Sequence, residues 1–469
     1  MTTDDHEMQA WCEMLLAGRK AAPTWELSDY LNTIPGLNSL ADIPAGTKVL
    51  VRGDIDAKPG PQVGEGDIRL RSMVQTVAFG RKRGWKQIIF GHIGRQPEGS
   101  LSKVAARLGD LLECEVPLVT DWLNESQLKV QEAATHQIDT AAEGSVIMLE
   151  NTRRYEVERA LWKAGRNDLQ ALAPRLARFA NHMAEQVARV YVHEALSAGS
   201  LDTSSTVIPA AMDRVALGDY VAGEFRGPMM RCLDTELVVF SGLKIDKLDD
   251  LEAMIGGGKI KHVFAAGSLA MALRKAIAEL DGQHICIGVA EDPAHNDQPY
   301  FIPRGRVAQA KKMVMDGRNR GIEFVVPIDS IVADGTAKLE LEPGDQQFDI
   351  GPKSTALFED KIGQFLAEGV EGKVAFYNGV FGMFEDPRIE EGTRKFIRQL
   401  KRLTDAGVAV YVGGGEGGKA LEKYGEPDWV THVFTAGGTV LNVLGREPVP
   451  YLVVLSGAAK KTGTCPRKP

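Results

Sequence analysis

The segment 49–60, VLVRGDIDAKPG, ends an apolar run with three charged side chains: Arg52, Asp54 and Asp56. A run of apolar β-formers that stops at a Pro-Gly turn is typical of a buried strand. In open parallel sheets, ligands bind outside the carboxyl ends of the strands. The segment therefore predicts a polar binding site at the end of a strand.

Further basic side chains follow later strand-like runs of the first half. Arg69 lies in 67-DIRLRS-72, His92 and Arg95 lie in 91-GHIGRQP-97, and Arg153 lies in 149-LENTRRY-155. Arginine forks match the geometry of phosphate and carboxylate groups, and phosphoryl transfer needs mainly positioning and charge neutralisation. The alternatives are surface salt bridges for the arginines and a hydrogen-bonded structural role for His92.

The second half places glycines and two carboxylates after strand ends. In 377-YNGVFGMFEDP-387, Asn378 ends a strand, Gly379 permits close approach of a ligand, and we expect Glu385 at the start of a helix. This arrangement suits a nucleotide, with the amide near phosphate and the carboxylate accepting from ribose hydroxyls. In 413-GGGEGG-418, backbone N–H groups can face an anion while Glu416 takes Mg²⁺.

Two lysines and one further glycine-containing loop complete the candidates. Lys244 and Lys247 in 241-SGLKIDKL-248 supply positive charge at a strand end, and Gly438 lies in the helix-opening loop 435-TAGGTVL-441. None of these loops is a Walker A or GxGxxG sequence, and each by itself is a weak motif.

Strand-length apolar runs recur along the chain, each followed by a helical pattern. Examples are KQIIFGHIG, VYVHEA, ELVVFSGL and VAVYVGGG. Continuous hydrophobicity indicates strands that are buried on both faces of a parallel sheet. We therefore predict an α/β fold with two doubly wound, mainly parallel-sheet, Rossmann-like domains joined by a helical hinge. Glycines after a single strand need only make a tight turn, but eight such loops favour ligand binding.

The length of 469 residues predicts more than one domain. The predicted parts are an N-terminal appendage (1–40), an acceptor-binding domain (41–213), a helical connector (214–235), a nucleotide-binding domain (236–450) and a C-terminal segment and tail (451–469).

Composition excludes several classes of protein. A net charge of −8 argues against nucleic acid as a partner, and no apolar run is long enough to span a membrane. The polar start MTTDDHEMQA shows no secretory signal, and five scattered cysteines lack metal-binding spacing. These features predict a cytoplasmic protein.

Taken together and in this order, the loops resemble the phosphoglycerate kinase family over roughly residues 45–455. Further matches are 327-PIDSIVAD-334, 349-DIGPKSTALF-358 and 392-GT-393. The resemblance implies a monomeric Mg-ATP/ADP-dependent kinase with a small carboxylate acceptor, whose two domains close over their ligands. It implies three sets of site residues: catalytic Arg69, Lys247, Gly415 and Gly438; acceptor-binding Asp54, Asp56, Arg69, His92, Arg95 and Arg153; and nucleotide-binding Gly242, Lys244, Lys247, Gly267, Asn378, Gly379, Glu385, Gly413, Gly414, Gly415 and Glu416, with Glu416 also the metal ligand.

The chain departs from the family pattern at several of these places. Asp56 replaces an amide, Leu201 replaces an arginine, and Glu416 replaces a metal-binding aspartate. An extra carboxylate ~4 Å from an anionic acceptor would cost about 4 kcal/mol at an effective dielectric of ~20.

Three functions stay open at this point. The first is reversible phosphoryl transfer to 3-phosphoglycerate or a related acid, giving an acyl phosphate. The second is a diverged kinase for another carboxylate or phosphonate in specialised metabolism. The third is a non-catalytic nucleotide-binding homologue.

Overall fold

The computed structural model describes residues 2–17 and 26–466. Met1 and residues 18–25 of the predicted appendage, and residues 467–469 of the predicted tail, lie outside the described residues. The chain divides into two compact units, which we call unit 1 (Met1–Gly227 with Glu447–Pro469) and unit 2 (Pro228–Arg446). Within the described ranges, no helix is both long and apolar enough to cross a bilayer.

Unit 1 contains a six-stranded parallel sheet and a separate antiparallel strand pair, β4 with β5. The strands are β1 (Lys48–Gly53), β2 (Lys86–Phe90), β3 (Leu118–Val119), β4 (Leu123–Asn124), β5 (Lys129–Val130), β6 (Val146–Leu149), β7 (Val190–Glu194) and β8 (Arg214–Leu217). The order in the sheet is β3-β6-β2-β1-β7-β8, and every neighbouring pair in it is parallel. All residues of β6 and β7 are buried, as expected of strands covered on both faces.

The helices of unit 1 cover this sheet. They are α1 (Asp5–Ala17), α2 (Leu27–Thr33), α3 (Ile68–Lys82), α4 (Ser102–Leu112), α5 (Glu132–Thr140), α6 (Leu169–Gln186), α7 (Thr203–Thr206) and α8 (Asp219–Glu224). Helix α1, in the predicted appendage, packs on α6 and donates from Trp11 Nε1 to the carbonyl of Thr206 at 2.7 Å.

Unit 2 repeats this plan with a second six-stranded parallel sheet. Its strands are β9 (Leu237–Gly242), β10 (His262–Ala266), β11 (Glu323–Val325), β12 (Ser330–Ile331), β13 (Ala337–Lys338), β14 (Asp349–Ile350), β15 (Val374–Asn378), β16 (Ala409–Val412) and β17 (His432–Val433). The order is β11-β10-β9-β15-β16-β17, while β13-β12-β14 form a small antiparallel sheet.

The helices of unit 2 mostly begin just after a strand of this sheet. They are α9 (Met230–Cys232), α10 (Lys247–Gly257), α11 (Gly267–Leu280), α12 (Arg304–Asn319), α13 (Pro352–Ala367), α14 (Glu391–Asp405), α15 (Glu416–Tyr424) and α16 (Gly437–Leu444). A π-helical segment, Phe225–Met229, connects α8 to α9.

The last helix, α17 (Pro450–Thr462), belongs to unit 1. Its Tyr451 is fully buried and stacks on His193 of β7, with ring centroids 4.1 Å apart. The predicted connector, 214–235, begins with strand β8 of the first sheet. The functional assignment of the domains stays a prediction.

In each sheet the first strand is central, and the chain later crosses to its other side. The strand order therefore reverses between β1 and β7 in unit 1 and between β9 and β15 in unit 2. The predicted fold class, two doubly wound parallel sheets, is confirmed. Ligands of such sheets bind at the carboxyl ends of the strands where the order reverses.

Candidate active site

Asp54 and Ser197 meet where the strand order of unit 1 reverses. Asp54 follows β1 and is buried, while Ser197 follows β7. The Ser197 hydroxyl donates to Asp54 Oδ1 at 2.6 Å, and the Ser197 amide donates to Oδ2 at 3.2 Å. This pair joins the two loops at the point where a ligand is expected.

Arg69, in the first turn of α3, holds Asp56. Its Nη1 donates to Asp56 Oδ2 at 3.0 Å and to the Asp56 carbonyl at 2.8 Å, and its Nε lies 3.9 Å from Asp54 Oδ1. The Gly94 amide donates to Asp56 Oδ1 at 2.9 Å. Burial by itself would raise the pKa of Asp56, but this amide and the charge of Arg69 lower it. Asp56 is therefore ionised at neutral pH.

A second group of polar side chains, three of them charged, is buried in unit 1. We call Arg52, His92, Arg153 and Asp202 the Asp202 cluster. Asp202 Oδ2 lies 3.0 Å from Arg153 Nη2, 3.2 Å from His92 Nδ1 and 3.8 Å from Arg52 Nη2. All four residues are at most 7% exposed. One carboxylate thus faces two arginines and a histidine.

The hydrogen bonds of Arg52 determine the state of His92. Arg52 donates to His92 Nδ1 at 2.8 Å, to Ser204 Oγ at 3.0 Å and to the Gly53 carbonyl at 2.8 Å. Since a guanidinium only donates, Nδ1 accepts, which requires the neutral ring. Burial lowers the pKa of His92, and the charge of Arg52 lowers it further.

Asp202 is firmly held as an anion. Burial would raise its pKa, but the charges of Arg153 and Arg52 hold the pKa well below its ordinary value. Its Oδ1 accepts from Trp162 Nε1 at 2.8 Å. Arg153 also donates to the Gly94 carbonyl at 2.6 Å, and its guanidinium lies 4.8 Å from the Trp162 ring centre.

Glu158 is a second buried carboxyl behind the cluster. It accepts from the hydroxyls of Thr152, Thr203 and Ser204 and from the Ser204 amide, at 2.5 to 3.0 Å. Burial, and then the negative charge of Asp202, raise the pKa of Glu158. This carboxyl orders the loop that carries Asp202.

Glu150 and Asn151, in the LENT stretch, fix the loop that carries His92 and Arg95. Glu150 accepts from the Leu101 amide at 2.8 Å, at the start of α4. Asn151 donates to the Gly99 carbonyl at 3.0 Å. These contacts position the loop and its basic side chains.

Five of the six predicted acceptor-binding residues come together: Asp54, Asp56, Arg69, His92 and Arg153. The sixth, Arg95, is exposed and lines an open groove of about 900 Å³ together with Trp162, Arg159 and Lys163. Sequence reasoning assigned no role to Arg52 and missed Ser197, Glu158 and Asp202. Asp202 could have been suspected from the sequence 202-DTSST-206, in which one acidic residue precedes four residues with small hydroxyl side chains.

Lys247 begins α10 at the corresponding point of unit 2. Its ammonium donates to the Ser241 carbonyl at 2.8 Å and lies 3.5 Å from Asn378 Oδ1. Gly242 leaves room for this side chain, because a Cβ there would lie 2.7 Å from Lys247 Nζ. Burial lowers the pKa of Lys247, while the charge of Glu416 opposes this shift. Lys244 is exposed.

The glycines around Asn378 allow close packing of the loops. A Cβ at Gly413 would lie 2.2 Å from Asn378 Nδ2, and one at Gly414 would lie 2.4 Å from the Phe434 carbonyl. Gly379 has φ of +102°, and a Cβ there would lie 2.2 Å from the Ser241 carbonyl. The structure therefore brings the ends of β9, β15 and β16 together around one amide side chain.

Several helices begin at this edge of the sheet. Gly267, with φ of +65°, begins α11 beside Gly242; Gly415, with φ of +75°, precedes α15; and Gly438 lies in the first turn of α16. The first N–H groups of a helix lack intrahelical partners and bind anions. No Cβ contact within 4 Å exists at Gly415 or Gly438, so both face open space.

The expected placement of Glu385 was wrong. It lies exposed in the turns that follow β15, and the next helix, α14, begins only at Glu391. Asp386 and Arg388 form an ion pair of 2.6 Å within this segment, so the chain turns before it becomes helical.

The carboxylate of Glu416 could hold a magnesium ion here. Glu416 is exposed at the start of α15, and its charge acts on Lys247. Among residues 2–17 and 26–466, no group of three or more His, Cys, Asp or Glu side chains is arranged to hold a metal by itself. This fits Mg²⁺, which proteins often bind through one or two carboxylates and the phosphates of a substrate.

Comparison with known proteins decides the family. The profile described as "PGK: Phosphoglycerate kinase" matches residues 40–447, which is most of the chain. The chain belongs to the phosphoglycerate kinase family. This membership makes it a kinase of the class that transfers a phosphoryl group to a carboxylate.

Phosphoglycerate kinases from several organisms are similar over nearly their whole length. The enzyme of Bifidobacterium adolescentis is 29% identical over 441 residues, covering 89% of this chain and 99% of its own. The enzyme of Bifidobacterium longum is 30% identical over 441 residues with the same coverage. The crystal structure of phosphoglycerate kinase from Pyrococcus horikoshii shares the fold, with a TM-score of 0.69 and 20% identity, covering 90% of this chain and 99% of its own.

Proposed function

We propose that this chain catalyses reversible, Mg-ATP-dependent phosphoryl transfer to the carboxylate of a small organic acid, 3-phosphoglycerate or a related acid, giving an acyl phosphate. The observation that carries the proposal is the complementary chemistry of the two sheet edges. Unit 2 presents a lysine and helix N-termini, which suit a polyphosphate. Unit 1 presents arginines, which suit an organic acid.

The nucleotide is assigned to unit 2. Its phosphates would face the first amides of α15 and α16 near Gly415 and Gly438, where open space is available. Lys247 lies at the same edge and would accompany the transferring group. Its lowered pKa reflects an ammonium with few water neighbours, so its charge acts strongly on a phosphoryl oxygen.

Magnesium would be held by Glu416 and the nucleotide phosphates, and it would neutralise the negative charge of the phosphates when bound. Adenine nucleotide is inferred from the family; Gly267, Asn378 and Gly379 lie where it would contact the backbone.

The acceptor is assigned to unit 1. Arg69 is only partly buried, and its guanidinium has one edge engaged by Asp56. We infer that Arg69 stabilises the transferring phosphoryl group from the acceptor side. Asp54 and Asp56 would accept hydrogen bonds from hydroxyl groups of the acid.

Transfer requires that the two ligands meet in a site closed to water, because water would otherwise hydrolyse the nucleotide. We expect compaction when both ligands are bound. Small-angle scattering of the free protein, of each binary complex and of the ternary complex measures this directly, and an unchanged radius of gyration would contradict it.

We propose a monomer in a reducing compartment such as the cytoplasm. The five cysteines, all within the described residues, are free, as expected where disulfides do not form.

The decisive experiment is a coupled assay of ADP formation over a panel of small carboxylic acids that includes 3-phosphoglycerate. Turnover that depends on an acid and is lost in Arg69→Ala supports the proposal. ATP binding without turnover of any acid would instead indicate a non-catalytic nucleotide-binding protein.

A further inference from the structure

The acceptor site of unit 1 carries as many negative as positive groups. Three arginines, Arg52, Arg69 and Arg153, are accompanied by three carboxylates, Asp54, Asp56 and Asp202. His92 is neutral, because burial lowers its pKa. The site therefore has little net positive charge with which to bind a multiply charged anion.

Asp202 occupies the position that an anionic ligand group would take among the basic side chains. One of its oxygens contacts Arg153, His92 and Arg52 together, and the other accepts from Trp162. The carboxylate is fully buried. A phosphate bound by the same two arginines would have to share them with a fixed negative charge, which is unfavourable in a poorly solvated site.

Asp56 neutralises the charge of Arg69, as Asp202 does that of Arg153. It accepts from Arg69 Nη1 and from the Gly94 amide, and the Arg153 guanidinium donates to the carbonyl of the same Gly94. Asp56 therefore pairs with Arg69, and Asp202 pairs with Arg153, on either side of Gly94. An ionised carboxylate can only accept further hydrogen bonds, so these acids suit ligand hydroxyl groups that donate.

We propose that the acceptor is a phosphate-free hydroxy acid, whose carboxylate receives the phosphoryl group and whose hydroxyls donate to the acids of unit 1. The inference rests on the proposed phosphoryl transfer and specifies its substrate class. Asp202 acts as a specificity residue. Its carboxylate already places a negative charge beside the arginines, where the phosphate group of a phosphate ester would otherwise bind.

Two candidate substrates that differ only by a phosphate group, glycerate and 3-phosphoglycerate, test this directly. With ATP and Mg²⁺, kcat/KM for glycerate is expected to exceed that for 3-phosphoglycerate at least about tenfold. Asp202→Asn keeps an acceptor for Trp162 and removes the charge, and it is expected to shift this ratio towards 3-phosphoglycerate by about tenfold or more. A wild-type preference for 3-phosphoglycerate, or an unchanged ratio in the variant, would overturn the proposal.

Asp42→Asn is the matched control. Asp42 is a surface acid of unit 1 that pairs with Arg214 at 2.8 Å, at the amino end of β8 and so at the opposite edge of the sheet from the site. Removing the same formal charge there is expected to leave the ratio unchanged. An equal shift in both variants would assign the effect to net charge and would overturn the role of Asp202.

Binding of inorganic phosphate tests the proposal without turnover. Thermal unfolding with and without millimolar phosphate is compared for the wild type and Asp202→Asn, and since unit 2 is identical in both, a difference belongs to unit 1. Phosphate is expected to raise the Tm of the variant more than that of the wild type. Equal shifts would overturn the proposal. If no acid is turned over, the proposed function fails, and this comparison still decides whether Asp202 excludes phosphate.

Discussion

Lys247 and Asn378 meet at the point where the strand order of unit 2 reverses, with Lys247 Nζ 3.5 Å from Asn378 Oδ1. One residue follows β9 and the other ends β15, two strands that are neighbours in the sheet although about 130 residues separate them. The same relationship in unit 1 joins Asp54 and Ser197. Each unit thus places its chemistry at the position that its topology favours for ligands.

Removing the ammonium of Lys247 should affect catalysis far more than folding. Lys247→Met keeps an unbranched chain against Gly242 but loses the charge, and we expect kcat to fall about 10²–10³-fold. The free energy of unfolding should change little, because burial already disfavours the charged form. Lys259→Ala, at an exposed lysine of unit 2 that pairs with Asp234, should keep full activity.

Two glycine substitutions separate packing from ligand contact. In Gly413→Ala, the new Cβ would lie 2.2 Å from Asn378 Nδ2, and we expect a loss of about 1–3 kcal/mol in stability together with weaker ADP binding. In Gly438→Ala, the Cβ meets nothing within 4 Å, so stability should be unchanged.

ADP affinity of Gly438→Ala, measured by calorimetry, is therefore informative by itself. A loss of affinity at unchanged stability is expected if the phosphates approach α16. Wild-type affinity would place the nucleotide elsewhere.

Arg69→Ala should reduce kcat about 10²–10³-fold, because a guanidinium positioned at the acceptor would be lost. Arg71→Ala is its control on the same helix: Arg71 is half exposed and pairs with Asp67 at 2.8 Å. Comparable rate losses in the two variants would show that the effect arises from helix α3 and not from the guanidinium of Arg69.

His193 should make unit 1 less stable in acid. Burial, with the charge of Arg52, lowers the pKa of this histidine to about 3. The unfolded chain takes up a proton below pH ~6.5 while the native state does not, so stability present above this pH is lost as pH falls towards 3. Between pH 6.5 and 5 the expected contribution is about 2 kcal/mol.

The measurement is urea unfolding at several pH values, followed by tryptophan fluorescence, since four of the five tryptophans within the described residues lie in unit 1. His193→Gln removes the titrating group, and its pH dependence should be shallower by about 1.4 kcal/mol per pH unit. Parallel wild-type and variant curves would show that His193 does not carry the effect.

The strand ends and their polar residues were predictable, because buried parallel strands appear in the sequence as continuous apolar runs. Arg69, His92 and Arg153 follow such runs, and topology then brings them together. The sequence thus indicated where the basic residues of the site lie, but not the acidic residues with which they pair.

The partners depend on contacts between distant parts of the chain. Asp202 lies 49 residues from Arg153 and 150 from Arg52, and the fold brings the segment after β7 against β1 and against the segment after β6. The prediction that Glu385 begins a helix was wrong for a local reason. The chain turns at the Asp386–Arg388 ion pair, and helix α14 begins only after this turn. Charge pairing within a site is a property of the folded chain, so single residues could not reveal it.

The most direct test of the account is a crystal structure of the full chain with Mg²⁺ and a non-hydrolysable ATP analogue. We expect the polyphosphate beside Lys247, Gly415 and Gly438, with Glu416 nearest the metal. A polyphosphate bound at any other part of the chain would contradict the assignment of unit 2 as the nucleotide-binding unit and the phosphoryl transfer derived from it.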